Sequence, residues 1–229
     1  MDAAAELDVL ANEIAGCRAC PRLVEWREKV AADPPRRHRG ERYWARPVPG
    51  FGDPGACIVL VGLAPAANGA NRTGRVFTGD RSGDWLYAAL YRAGLANQPT
   101  ATDLGDGLAL RDAWVTAAVR CAPPANKPTP GERDRCAPFL VRELELLDRA
   151  TVLVCLGAFG WDAALRTLAA GGVSVPRPKP RFGHGTEAQV GERTLLGCFH
   201  PSQQNTFTGR LTEPMIDAVL SRARELANP

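Results

Sequence analysis

Four cysteines constrain this chain more than any other residues. Cys17-x-x-Cys20 lies near the start, and Cys121 and Cys136 follow much later in a proline-studded stretch. Four thiolates spaced this way read as a metal-ligand set, and a metal gripped by distant segments ties the N-terminal region to the middle of the chain. Zinc suits four cysteines, but structural zinc sites pair two short knuckles, and the second pair here is far wider than a knuckle. Iron–sulfur clusters accept looser spacing, so the pattern leans to a cluster and leaves zinc open. Cys57, Cys155 and Cys198 lie inside apolar runs (ACIVLVG, TVLVCLG, RTLLGCF) and read as core, since free cysteine is among the most buried residue types. A disulfide framework has less support. The opening MDAAAELDVLANEIAG is acidic and helical in pattern, without the basic and apolar regions of a secretory signal. Seven cysteines without such a signal point to a reducing cytoplasm.

At 229 residues and 45% hydrophobic, the chain is long enough to bury one substantial core. Residues 1–229 read as a single domain, with 1–55 forming a helix, the first cysteine pair and an arginine-rich arm. No apolar run approaches the roughly 20 residues of a membrane helix. The net charge of +3 decides little. Its distribution says more: Arg36, Arg37, Arg39, Arg42 and Arg46 crowd one loop-like stretch, and Arg177, Lys179 and Arg181 another. Two such loops suit a polyanionic partner.

Continuous apolar runs at 56–62, 113–119, 151–156 and 193–199 predict strands buried on both faces, as in a parallel sheet. Helical patterns cover 3–15, 83–95, 131–149, 158–169 and 213–226. Alternating strands and helices define an α/β fold with a central four-stranded parallel sheet sandwiched by helices. Ligands of open parallel sheets bind outside the carboxyl ends of the strands. The unusual loops lie there: GLAPAANGANRTGRVFTGD after the first strand, RCAPPANKPTP after the second and HPSQQNTFTGRLT after the fourth.

The first and last of these loops resemble the two signature loops of the uracil-DNA glycosylase superfamily, most closely its family 5, the uracil-DNA glycosylase B group. The resemblance runs from Cys17 to the final loop. It implies a four-iron four-sulfur cluster on Cys17, Cys20, Cys121 and Cys136, and DNA containing uracil or other deaminated bases as substrate. A prokaryotic, nucleoid-associated monomer is expected.

An enzyme that cuts a base from its sugar must first extrude the nucleotide from the stack. The resemblance places the base against Gly62, Leu63 and Ala64, with Phe77 as the stacking aromatic and Asn126 as an amide for the base edge. Bond cleavage gives the sugar oxocarbenium character, as in glycoside hydrolysis, while negative charge collects on the leaving base. An anion near the sugar and a donor for the base are then needed. Most of the superfamily carries a polar residue at the start of the first loop; Leu63, Ala64 and Pro65 stand there instead, which is the family 5 pattern. The water-orienting role passes to Asp80, which also stands where a helix N-cap is expected; the two roles are compatible. His200 is the candidate donor to the base. Asn68, the third catalytic candidate, occupies a position where close relatives are expected to carry His, and it cannot ionise. Ala117 replaces the Asn expected in family 4, which implies a roomier pocket and a wider range of bases, such as hypoxanthine.

Gln204 and Asn205 suit the gap left by a flipped base, while Ser202, Thr206 and Thr208 suit phosphates, which fix register without reading sequence. Arg72, Lys179 and Arg181, with His184, are further phosphate candidates. A second hypothesis is a protein on the same scaffold that holds uracil-containing DNA without turnover, with a covalent bond to the motif His as one route. The covalent relatives carry a basic insertion after the first loop, and GRVFTGDRSGDW shows none. A zinc-stabilised nucleotide-binding protein is a third.

Overall fold

The computed structural model describes residues 2–227. Helices α1 (Ala3–Gly16) and α2 (Pro21–Ala32) come first, and an irregular arm leads to strand β1 (Phe51–Gly52). Next come β2 (Ile58–Gly62), α3 (Ala70–Thr73), α4 (Arg81–Arg92), β3 (Ala113–Ala117), α5 (Pro130–Leu146), β4 (Val152–Leu156) and α6 (Gly157–Ala170). The chain closes with β5 (Glu187–Val190), β6 (Arg193–Cys198), α7 (Gln203–Phe207) and α8 (Glu213–Ala227). No helix among the described residues is long and apolar enough to cross a membrane.

The four expected strands form the centre of the sheet in the order β3-β2-β4-β6, all parallel. The sheet itself departs from the sequence expectation. It has six strands and is mixed, because β1 adds antiparallel to β3 at one edge and β5 antiparallel to β6 at the other. Neither edge strand has the continuous apolar character of a buried parallel strand. Only two residues make up β1, and β5 (EAQV) is largely exposed or half-exposed.

Side chains of one strand point alternately to the two faces, and each face builds its own core. Ile58 and Leu60 pack with Leu86, Leu90, Ile216 and Leu220 of α4 and α8. Val59 and Val61 pack with Leu140, Leu144, Trp161 and Leu165 of α5 and α6, where Leu7 of α1 joins them. The layering is therefore α/β/α. Cys57, Cys155 and Cys198 are buried as expected. Thr129 and Glu132 start α5 with a reciprocal capping box, satisfying two otherwise unpaired amides.

One ionic contact lies wholly inside. Arg120, just past β3, donates to Glu143 of α5 at 2.6 Å, and Thr116 also donates to that carboxylate at 2.6 Å. Both charged side chains are at most 2% exposed. Removing one partner leaves the other charge buried without compensation, which costs about 3–5 kcal/mol. Glu143→Leu is expected to lose stability of that order in urea unfolding. A change under about 1 kcal/mol, the ordinary worth of an exposed pair, would show that the contact is not sealed from water.

Candidate active site

The loop after β2 returns across the carboxyl ends of the sheet. It stays close because β3 continues to pair beyond its own end, with Ala118 N donating to Gly62 O and Val119 N to Leu63 O, both at 3.0 Å. The Phe77 ring lies on Gly62, where an added Cβ would stand 2.7 Å from it. Phe77 holds a left-handed backbone, φ 51°, uncommon for a bulky residue. Its neighbours fix that turn: Tyr87 Oη donates to Val76 O at 2.8 Å, and Arg75 pairs with Asp106 at 2.5 Å.

Asp80 fills both positions expected of it in the sequence. It is the N-cap of α4, with Oδ1 accepting from Gly83 N at 3.0 Å. It also faces a cavity of about 250 Å³ lined by Leu63, Ala64, Ala66, Phe77, Asp80, Ser82, Asn126, His200 and Ser202. Three loops from three strand ends thus meet in one chamber. Of the residues expected at the base, Leu63, Ala64, Phe77, Asn126 and His200 line it directly, and Gly62 lies beneath the Phe77 ring.

Burial acts on the two ionisable groups in opposite directions, because it disfavours whichever form is charged. It raises the pKa of Asp80, partly offset by amide donation from Gly83 and Ser82. It pushes His200 down to about 4, so the imidazole is neutral near pH 7. His200 Nδ1 is buried without a protein partner, which leaves Nε2 as the nitrogen that reaches the chamber. The His200 and Phe77 rings lie 5.7 Å apart, centre to centre.

A groove of about 750 Å³ adjoins this chamber and shares Ala66, Asp80 and Asn126 with it. Arg37, His38, Arg72, Arg81, Asn68 and Trp26 also line the groove. Asn68 therefore sits in the groove rather than in the chamber, and its Oδ1 accepts from Tyr43 Oη at 2.9 Å. Arg72 is tied to Glu41, Asn68 O and Gly79 O, so it first braces its own loop.

Other polar residues are engaged within the protein. Asn205 donates to His200 O at 2.9 Å and positions that histidine, while Ser202 caps α7. Thr206 and Thr208 bond to carbonyls of the same turn. His184 is half-buried, its Nδ1 accepting from Phe199 N at 3.1 Å. Lys179 is exposed and paired with Asp162; Arg181 and Gln204 are exposed. Sequence reasoning overlooked Tyr43, Ser82 and the pair formed by Phe207, 67% exposed, and Arg81, whose guanidinium lies 4.5 Å above its ring.

Cys17, Cys20, Cys121 and Cys136 come together, lining a second small cavity with Arg27, Arg120 and Arg135. No group of three or more His, Cys, Asp or Glu among the described residues is arranged to hold a single ion. The surroundings are nonetheless cationic. Arg27 donates to Cys121 Sγ at 3.0 Å, Arg120 N to Cys136 Sγ at 3.3 Å and Arg135 to Cys20 Sγ at 3.5 Å. Donors gathered around sulfur are what an anionic thiolate set requires.

A family model described as the uracil DNA glycosylase superfamily matches residues 49–224. This chain belongs to the uracil DNA glycosylase superfamily. A type-5 uracil-DNA glycosylase of Mycobacterium tuberculosis is 55% identical over 216 residues, 93% of this chain and 79% of that protein. One from Mycobacterium leprae is 53% identical over 227 residues, covering 98% of this chain and 97% of the relative. A third, from Thermus thermophilus, is 49% identical over 221 residues, 96% and 98% of the two chains.

In this member of the superfamily, the two roles of Asp80 separate by substitution. Asparagine caps a helix about as well as aspartate and carries no charge to desolvate. The folded pKa of Asp80 is raised, so its ionised form costs stability above that pKa and the cost disappears on acidification. Asp80→Asn is expected to be at least as stable as the parent at pH 7, with the advantage shrinking as pH falls through the raised pKa. Thermal melts across that range test it; a clear loss of Tm at pH 7 would mean that the carboxylate charge stabilises the fold.

Proposed function

We propose that this chain hydrolyses the N-glycosidic bond of uracil, and of other deaminated bases such as hypoxanthine, in DNA, leaving an abasic site. The observation that carries this reading is the chamber itself. One aromatic, one carboxylate, one neutral imidazole and one amide converge in about 250 Å³ beside a groove with arginines in its wall. That volume is below the roughly 300–1,000 Å³ of drug-sized sites and suits a single extruded base.

In this reading the base stacks on Phe77 and meets Asn126 at its edge. Asp80, in its ionised form, orients the attacking water and faces the cationic sugar as the bond opens. Nε2 of His200 donates to the base oxygen on which negative charge collects. A neutral donor suits this task, since the ring has no proton to give up at neutral pH beyond the one it shares. Leu63, Ala64 and Ala66 offer no side-chain donors or acceptors, and an apolar wall rejects related bases only weakly. That supports a range of deaminated bases rather than uracil alone.

The four cysteines are assigned to a four-iron four-sulfur cluster, with zinc as the alternative. Arg27 supports an anionic occupant: it is 2% exposed, and among the described residues its side chain donates only to Cys121 Sγ and Cys17 O. The cluster, when bound, holds α2 against the residues after β3. Hydrolysis moves no electrons, so no step of excision passes through it.

Labelled duplex DNA with a single uracil, incubated with substoichiometric protein and then treated with alkali, tests the proposal. Several strand breaks per protein molecule are expected. DNA shifted on a native gel without breaks would overturn turnover and favour a holding protein. Asp80→Asn is expected to lower kcat/KM by about 10²–10⁴-fold. The parent's kcat/KM should fall on acidification as Asp80 takes up a proton, above the usual carboxylate range. His200, at about 4, stays neutral over the range above that. The acid limb should vanish in Asp80→Asn; its survival there would move the titrating group elsewhere.

A further inference from the structure

We propose that Arg27 is a positioning residue that couples the four-cysteine site to the loop forming the base chamber. The proposal rests on a metal cluster at those cysteines. Arg27 is among the largest fully buried side chains. It makes no ion pair with a carboxylate among the described residues, and its Nε has no partner. A guanidinium cannot shed its proton in a protein, and a buried charge needs an opposite charge close by. The sulfur of Cys121, 3.0 Å from Nη1, is where that charge lies when a metal holds the thiols as thiolates.

The other end of the same residue reaches the chamber. Arg27 O accepts from Asn71 Nδ2 at 3.3 Å, and the same amide also donates to Ala67 O at 3.3 Å. Asn71 is 1% exposed. Its backbone N donates to Ala66 O at 3.1 Å, and its O accepts from Ala45 N at 3.0 Å. Ala66 lines both the chamber and the groove. Two buried side chains therefore span the distance from thiolate to chamber wall. Anionic sulfur holds the guanidinium, which seats this turn of α2, and the carbonyl of that turn holds the loop through Asn71.

Three variants of the metal-loaded chain test the link: Arg27→Met, Arg27→Lys and Asn71→Ala. The readouts are iron and sulfide content with visible absorbance under an iron chelator, amide hydrogen exchange over residues 66–72, and kcat and KM for uracil excision. Arg27→Met is expected to lose iron about 10- to 100-fold faster, to speed exchange over 66–72 and to lower kcat more than it raises KM. Arg27→Lys, which keeps the charge, is expected to restore most of the iron retention. Asn71→Ala cuts the link on the far side, so iron stays bound as in the parent while exchange over 66–72 accelerates and kcat falls. The proposal is overturned if Arg27→Met loses iron yet leaves loop exchange unchanged, or if Asn71→Ala leaves it unchanged. A parent chain that carries no iron while its 66–72 amides are fully protected also overturns it, since the loop then needs no anion. If the parent fails to excise uracil, iron retention and exchange still decide the coupling, so that failure stays distinct.

Discussion

The base chamber depends on backbone approaching closer than any Cβ permits. A methyl group on Gly62 would lie 2.7 Å from the Phe77 ring, one on Gly69 would lie 2.1 Å from Asp80 Oδ2, and one on Gly83 would lie 1.8 Å from Phe77 O. These three contacts fold the loop after β2 into a compact wall. They set the aromatic flat against the end of β2, the carboxylate against the returning loop and the first turn of α4 beneath both. The obstruction at Gly62 is a ring resting on backbone and that at Gly83 is a carbonyl, so neither can swing aside as a flexible side-chain tip would. Glycine at these positions is a packing requirement, separate from any need for positive φ.

Enclosure is also what gives the chamber its electrostatics. The same loss of water that disfavours the charged form of Asp80 disfavours the charged form of His200. The outcome is an Asp80 carboxyl raised above its ordinary pKa and a His200 imidazole that is neutral near pH 7, both facing one chamber. The amides of Gly83 and Ser82 at the start of α4 oppose that rise by favouring the charged form of Asp80. The helix start thus serves fold and site at once. This explains how a loop that begins with Leu63, Ala64 and Pro65 still presents an acid: the acid comes from the far end of the loop, where a helix needs a cap in any case.

Much of this was legible in the sequence. Buried parallel strands announce themselves as unbroken apolar runs, and the loops at their carboxyl ends were rich in polar and glycine residues for a reason the structure makes plain. The edges were not legible, because β1 and β5 are too short or too exposed to carry a period. Residue identity singled out Asp80, Phe77 and His200, and the structure brings all three to one chamber. It did not foresee the internal contacts of Arg72, His184 and Asn205, which depend on which way the side chain turns. Arg72 bonds to Asn68 O and Gly79 O, His184 receives Phe199 N, and Asn205 holds His200 O. Arg27 and Tyr43 escaped notice for a related reason: nothing in WREKV or ERYWA marks a side chain that ends beside a cysteine or a catalytic loop.

The superfamily match begins at residue 49, yet the preceding segment is built into the site. Glu41 pairs with Arg72 at 2.6 Å, Tyr43 donates to Asn68 at 2.9 Å, and the amides of Trp44 and Ala45 donate to the carbonyls of Arg72 and Asn71. Residues 41–45 thus run along residues 68–72 as an outer brace. Alignments with the type-5 relatives from M. leprae and T. thermophilus, by contrast, span nearly the whole chain. A loop without a polar group at its start has less to hold it to a substrate, so its shape must be held from behind. The arm supplies that support through hydrogen bonds to loop backbone, and Cys17 and Cys20, upstream of the arm, bring the N-terminal region to the end of β3. In physical terms, the N-terminal segment fixes the loop whose residues Ala66 and Asn68 line the groove.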